Sequence, residues 1–180
     1  MRKKKAQFQY FGYGSNMLLK KLQSPKRCPS AVPIGICKIK KHSLKFHKVS
    51  HANQNGIPDV SGKGDMIPSE SETDEVYGVL FKILKKEEKK LDKAEGYPDY
   101  GYDKKKIDVI TTKGEKYRSV MYFANEIDPK KKPYHWYKEQ VVQGAREHGL
   151  PEDYIKKIEG FESIQDTDEE RVAKNEKYLS

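Results

Sequence analysis

Two places in this chain hold residue types that can do chemistry. The first is Gly12-Tyr13-Gly14-Ser15-Asn16, where two glycines free the backbone and a hydroxyl and a carboxamide follow. Set between a strand and a helix, such a turn aims backbone N–H groups outward where no helical carbonyl accepts them. That makes it a candidate anion site. It is not a P-loop, because no Gly-Lys-Ser/Thr follows, nor a dinucleotide fingerprint, because Met17 stands where the third glycine belongs. Met17 also occupies the position at which a hydrolase elbow needs glycine, so Ser15 is a poor nucleophile candidate. The second place is Glu95, which on a helical wheel follows Leu91 by one turn and Leu84 by three. A carboxylate on that inward face could shuttle a proton. Each feature also has an ordinary explanation: Gly-Ser-Asn for turn geometry and helix capping, an acid in a Lys-rich helix for solvation or pairing.

The elements needed to position these residues can be read from periodicity. Gln7 to Phe11 alternates aromatic and polar residues and predicts a strand; Met17 to Leu22 predicts a helix, capped by Ser15 or Asn16 and stopped at Ser24-Pro25. Further strands are predicted at Ile34–Lys40, Ser43–Val49, Val76–Ile83, Lys105–Thr112 and Arg118–Ala124, the last two joined as a hairpin across Lys113-Gly114-Glu115. Helices are predicted from Lys86 to Glu95, from Pro133 to His148 and from Pro151 to Ile158. Between Ser50 and Glu75 apolar periodicity fades into Gly, Ser, Pro, Asn and Asp, which predicts a long surface excursion. From Gln165 the composition is mostly charged, and a peripheral helix or disorder is expected. The chain is therefore rich in strands, with one domain expected over residues 1–164 and a charged tail over 165–180.

Composition narrows the function classes. The 180 residues carry 36 Lys+Arg against 27 Asp+Glu, a formal net charge of +9. Their lysines fall in short runs scattered along the chain and interrupted by acids, without a recognition helix or interleaved aromatics, so solvated faces explain them better than a nucleic-acid surface. No apolar stretch approaches a membrane span, and Met1-Arg2-Lys3-Lys4-Lys5 leads into no signal-peptide core; a cytoplasmic location is expected. Cys28 and Cys37 are too few for a disulfide scaffold. With His42, His47 and His51 nearby they still lack the close ligand pair of a zinc site, so no metal is expected.

The ordered set Tyr10-Phe11-Gly12-Tyr13-Gly14-Ser15-Asn16-Met17, Val76-Tyr77-Gly78-Val79-Leu80-Phe81 and Leu91-Asp92-Lys93-Ala94-Glu95-Gly96 resembles the gamma-glutamylcyclotransferase family. Tyr102, Tyr137 and Gly144-Ala145-Arg146-Glu147-His148-Gly149-Leu150-Pro151 extend the likeness toward the C-terminus. The resemblance implies an α+β fold, a small mixed β-barrel flanked by helices. It further implies a catalytic acid/base at Glu95, a substrate-binding loop at Tyr13, Gly14, Ser15 and Asn16, and pocket-lining tyrosines at Tyr102 and Tyr137, with Tyr100 and Tyr134 as neighbours that could stand in for them. The implied reaction turns a γ-glutamyl amino acid or γ-glutamyl amine into 5-oxoproline and a free amine, with no metal or organic cofactor. A departure at the extended Asn53–Glu75 loop, with its Gly62-Lys63-Gly64, leaves the substrate's identity open. The implied partner is a small γ-glutamyl substrate, without specific nucleic acid or membrane; the resemblance allows a homodimer. A competing class is a non-catalytic module on the same scaffold, binding a small molecule or, through its basic charge, nucleic acid.

Overall fold

Aromatic and apolar residues recurring at period two build most of this chain into strands. The computed structural model describes residues 5–54 and 56–180. Its strands there are β1 (Gln7–Gly12), β2 (Val32–Lys40), β3 (His42–Val49), β4 (Asn53–Gln54), β5 (Ile57–Pro58), β6 (Gly62–Pro68), β7 (Glu75–Leu84), β8 (Tyr102–Thr111) and β9 (Lys116–Ala124). The helices are α1 (Leu19–Leu22), α2 (Glu88–Glu95), α3 (His135–Glu147), α4 (Glu152–Glu159) and α5 (Glu169–Glu176), with 3-10 turns at Ser15–Met17 and Lys85–Glu87. The fold is α+β. Strands β1, β7, β2, β8 and β9 close in that order into a barrel. Its pairs are antiparallel except β1 with β9, which run parallel where Tyr10 meets Val120. On β7 the consecutive residues Val79, Leu80 and Phe81 are all fully buried, so this strand is covered on both faces and reads as an unbroken apolar run.

Outside the barrel, β3 and β6 pair antiparallel as a separate two-stranded sheet. This corrects the expected surface excursion between 50 and 75. Gly62, Gly64, Asp65 and Met66 of β6 are buried. The same small residues that read as loop are what the packing requires: a Cβ on Gly62 would stand 2.0 Å from the Phe46 carbonyl oxygen. Strand β8 also starts earlier than predicted, because Lys104 is bridged to Glu88 and Asp92 of α2 at 2.9 and 2.8 Å. A run of Asp and Lys without apolar alternation hid that start, which matters because Tyr102 is the first residue of the strand.

The predicted helix from Met17 to Leu22 is broken in two. A 3-10 turn ends at Met17, Leu18 is extended, and α1 follows over four residues. No side chain caps either piece, since Ser15 and Asn16 are used elsewhere. Helix α3 holds the broken segment in place: Glu147 accepts a hydrogen bond from the Leu19 N–H at 3.0 Å, and His148 Nε2 lies 2.8 Å from the Met17 carbonyl oxygen. The charged C-terminal segment is docked as α5, with Asp168 and Arg171 buried.

Candidate active site

Strand β1 delivers the chain to the turn. Tyr13 is locked there by donating its hydroxyl proton to the Tyr122 carbonyl at 2.6 Å. The first hydrogen bond of the 3-10 turn runs from Met17 N–H to the Gly14 carbonyl, so the N–H groups of Ser15 and Asn16 precede any helical pairing. Ser15 Oγ accepts from the Lys21 ammonium at 2.8 Å. Asn16 Nδ2 donates to Glu95 Oε1 at 2.8 Å and to the Tyr10 hydroxyl at 3.0 Å. Asn16, expected as part of a substrate loop, thus spends its side chain on the carboxylate and offers substrate only its backbone.

Glu95 is the last residue of α2, anchored by the fully buried Leu91 one turn earlier. The chain must then leave the helix sharply. Gly96 does this at φ 72°, and a Cβ there would fall 2.0 Å from the Tyr100 carbonyl oxygen, so only glycine fits. The Glu95 side chain is 14% exposed. Its Oε1 accepts from Asn16 and from Arg27 Nη1 at 3.3 Å, while Arg27 also donates to Asn16 Oδ1 at 3.2 Å. Among the described residues Oε2 has no partner. One oxygen fixes the carboxylate and the other is left for the cleft.

That cleft has a volume of ≈ 660 Å³, and Tyr13, Gly14, Ser15, Asn16, Glu95, Tyr102 and Tyr137 all border it. Its size suits a small organic ligand. Tyr102 and Tyr137 converge on one glycine of β6: Tyr102 donates to the Gly64 carbonyl at 2.6 Å, and the Gly64 N–H donates to the Tyr137 hydroxyl at 3.0 Å. Burial pushes the Tyr137 phenol above its ordinary range, and those of Tyr102 and Tyr13 well above it, so each stays a neutral hydroxyl. Of the two alternatives, Tyr100 stands exposed at the rim, whereas Tyr134 lies off the cleft, its hydroxyl accepting from Val60 N–H and Arg171.

Sequence reasoning missed Arg27, Lys21, Lys48 and Tyr10, all of which border the cleft. A signal existed for the first. Among 36 Lys+Arg residues only Arg2, Arg27, Arg118, Arg146 and Arg171 are arginine, and a chain that defaults to lysine uses arginine where a planar fork is needed.

The family model described as the AIG2-like family matches residues 75–158, the stretch that runs from β7 through α2 and Glu95 into α4. Bovine gamma-glutamylcyclotransferase is 34% identical over 161 residues, spanning 86% of this chain and 79% of its own length. The mouse protein of the same name is 30% identical over 183 residues, spanning 96% and 92%. A solved structure titled gamma-glutamyl cyclotransferase superposes with a TM-score of 0.77 at 26% identity, covering 94% of this chain and 99% of that one. The chain belongs to the gamma-glutamylcyclotransferase family.

Proposed function

We propose that this protein is a gamma-glutamylcyclotransferase, converting a γ-glutamyl amino acid or γ-glutamyl amine to 5-oxoproline and a free amine with Glu95 as acid and base. The observation that carries the reading is a carboxylate held through Oε1 by Asn16, unpaired at Oε2 among the described residues, on a residue that borders the same cleft as the glycine turn. In the reaction the substrate's α-nitrogen attacks its own γ-carbonyl. Nucleophile and electrophile are already tethered, so holding the folded-back conformer supplies much of the acceleration without a covalent enzyme intermediate.

Proton transfer is what the protein must add. Glu95 Oε2 takes a proton from the α-ammonium, the C–N bond of the five-membered ring forms, and the carbonyl oxygen gains negative charge. As that oxyanion collapses, the amide C–N bond breaks and that proton passes from Glu95 to the leaving nitrogen; the emptied carboxylate then takes the second proton from the new ring nitrogen and hands it to the released amine, which leaves as an ammonium while the lactam keeps one N–H. The N–H groups of Ser15 and Asn16 can hold a substrate carboxylate or the oxyanion. Neither metal nor organic cofactor enters the balance.

The test is 5-oxoproline release from a panel of γ-glutamyl compounds. Glu95→Gln is expected to lower kcat by about 10²–10⁴, the usual worth of a positioned acid/base, while a non-reacting γ-glutamyl analogue still binds. Near-wild-type turnover in that variant would remove the proton-transfer role.

A further inference from the structure

The cleft holds more positive charge than its own acids neutralise. Glu95 is matched by Arg27, and Asp59 by Lys63 at 2.7 Å. Lys21 and Lys48 border the same cleft at 6% and 7% exposure, and among the described residues neither has a carboxylate within 4.0 Å. Lys21 spends its ammonium on Ser15 Oγ and on Gln140 Oε1 at 2.7 Å, beneath the turn. Lys48 is different. It sits just past a bulge in β3, where the register to β6 slips between Phe46 opposite Gly64 and Lys48 opposite Lys63, a device that re-aims a side chain. Its ammonium stands 4.9 Å from the centre of the Tyr102 ring and makes no hydrogen bond to any described residue.

An ammonium on a mostly buried side chain, with no acceptor among the described residues, depends on the cleft it borders for its hydrogen bonds, and one cation–π contact offsets only part of its desolvation. Burial holds the Lys48 ammonium below the ordinary lysine range, with the charge of Glu95 acting in the opposite direction. An arriving anion would remove the imbalance. The two unneutralised lysines lie on different walls: Lys21 under the turn and against α3, Lys48 against Tyr102 at the start of β8. A γ-glutamyl amino acid carries two carboxylates, one on either side of its scissile amide. The glutamyl α-carboxylate shares a carbon with the attacking nitrogen, and placing it on the turn's N–H groups, one of the two roles open to them, leaves the other wall for the leaving half. A γ-glutamyl amine has nothing to place there.

We propose that Lys48 is a specificity-determining residue, binding the carboxylate of the departing amino acid and so selecting γ-glutamyl amino acids over γ-glutamyl amines of the same skeleton. This inference rests on the cyclotransferase reading. Its test compares kcat/KM for γ-glutamyl-alanine with that for γ-glutamyl-ethylamide, whose leaving group is alanine without its carboxylate. The wild-type protein is expected to favour the former by about 10-fold or more, the scale of a hydrogen bond to a charged group. Lys48→Met, which keeps an apolar stem over Tyr102, collapses that ratio toward unity, and Lys48→Arg restores most of it. Equal turnover of the two substrates by the wild type, which needs no variant to fold, overturns the proposal, as does an unchanged ratio in Lys48→Met. Absence of 5-oxoproline from every substrate overturns the cyclotransferase reading and this inference with it.

Discussion

Glu95 and its neighbours divide the labour atom by atom: Asn16 and Arg27 fix one oxygen, and the other has no partner among the described residues. Lys21 supports the turn from below, at a measurable electrostatic cost. Burial, aided by repulsion from Arg27 and Lys63 and opposed by Glu95, holds its ammonium well below the ordinary lysine value of 10.5. The folded chain therefore binds fewer protons at this site than the unfolded chain, and stability rises with pH wherever the unfolded state binds more. Below the folded pKa both states are protonated and the full penalty stands; it is relieved as pH climbs through that value toward 10.5. Lys21→Met removes the titration. Urea unfolding of both proteins at neutral pH and just below 10.5 should show the difference moving in favour of the wild type as pH rises. A flat difference would show that the ammonium is not desolvated in the fold. Residues of this kind were not legible in the sequence. A carboxylate on an apolar helix face is conspicuous, whereas one buried lysine among many solvated ones has no local mark, because its partners Tyr137 and Gln140 come from α3, far away in sequence.

At the scale of elements, strands with apolar alternation could be read directly, and those built from small or charged residues could not. Gln7 to Phe11 and Val76 to Ile83 carry their own pattern, and both fall in the barrel. Strand β6 is specified by what it packs against. Gly62 is there because the Phe46 backbone passes too close for any Cβ, and Gly64 because a Cβ there would crowd the Tyr137 hydroxyl at 3.3 Å. Gly62→Ala forces two strands apart, since the obstacle is backbone and cannot rotate away. A loss of about 2–4 kcal/mol is expected in denaturant unfolding, the range of strongly disruptive packing changes. The same variant should weaken substrate binding, because Lys63 and Gly64 follow directly and both border the cleft. If Gly62→Ala matches the wild-type midpoint, β6 does not lie as tightly on β3 as the geometry requires.

Across the whole molecule, charge that looked like a solvated tail closes a network reaching the site. Arg171 of α5 pairs with Asp166 at 2.6 Å and Asp168 at 3.4 Å, and donates to the Ile57 carbonyl and the Tyr134 hydroxyl, both at 3.2 Å. Anchored in this way, α5 presents the Asn175 carbonyl to Gln140 Nε2 at 2.9 Å; the Gln140 Oε1 accepts from Lys21, which in turn donates to Ser15 of the turn. The acids and the arginine lie within five residues and pair locally; what composition does not show is that the chain returns past Ile57 and Tyr134 and buries them there. Arg171→Met leaves Asp166 and Asp168 buried without their cation, and breaking a buried pair costs about 3–5 kcal/mol. Helix α5 packs mainly on α3 and is tied to Ile57 and Tyr134 through Arg171, so the loss should appear as local release and not as global unfolding. Limited proteolysis of Arg171→Met is expected to cut within residues 165–180 while the barrel survives. KM should rise more than kcat falls, because the hydrogen bonds of Glu95 among the described residues come from Asn16 and Arg27, whereas Lys174 and Asn175 of α5 border the cleft. A variant whose C-terminal segment resists protease as well as the wild type, with KM unaltered, would show that α5 is held by other contacts and takes no part in shaping the substrate's cleft.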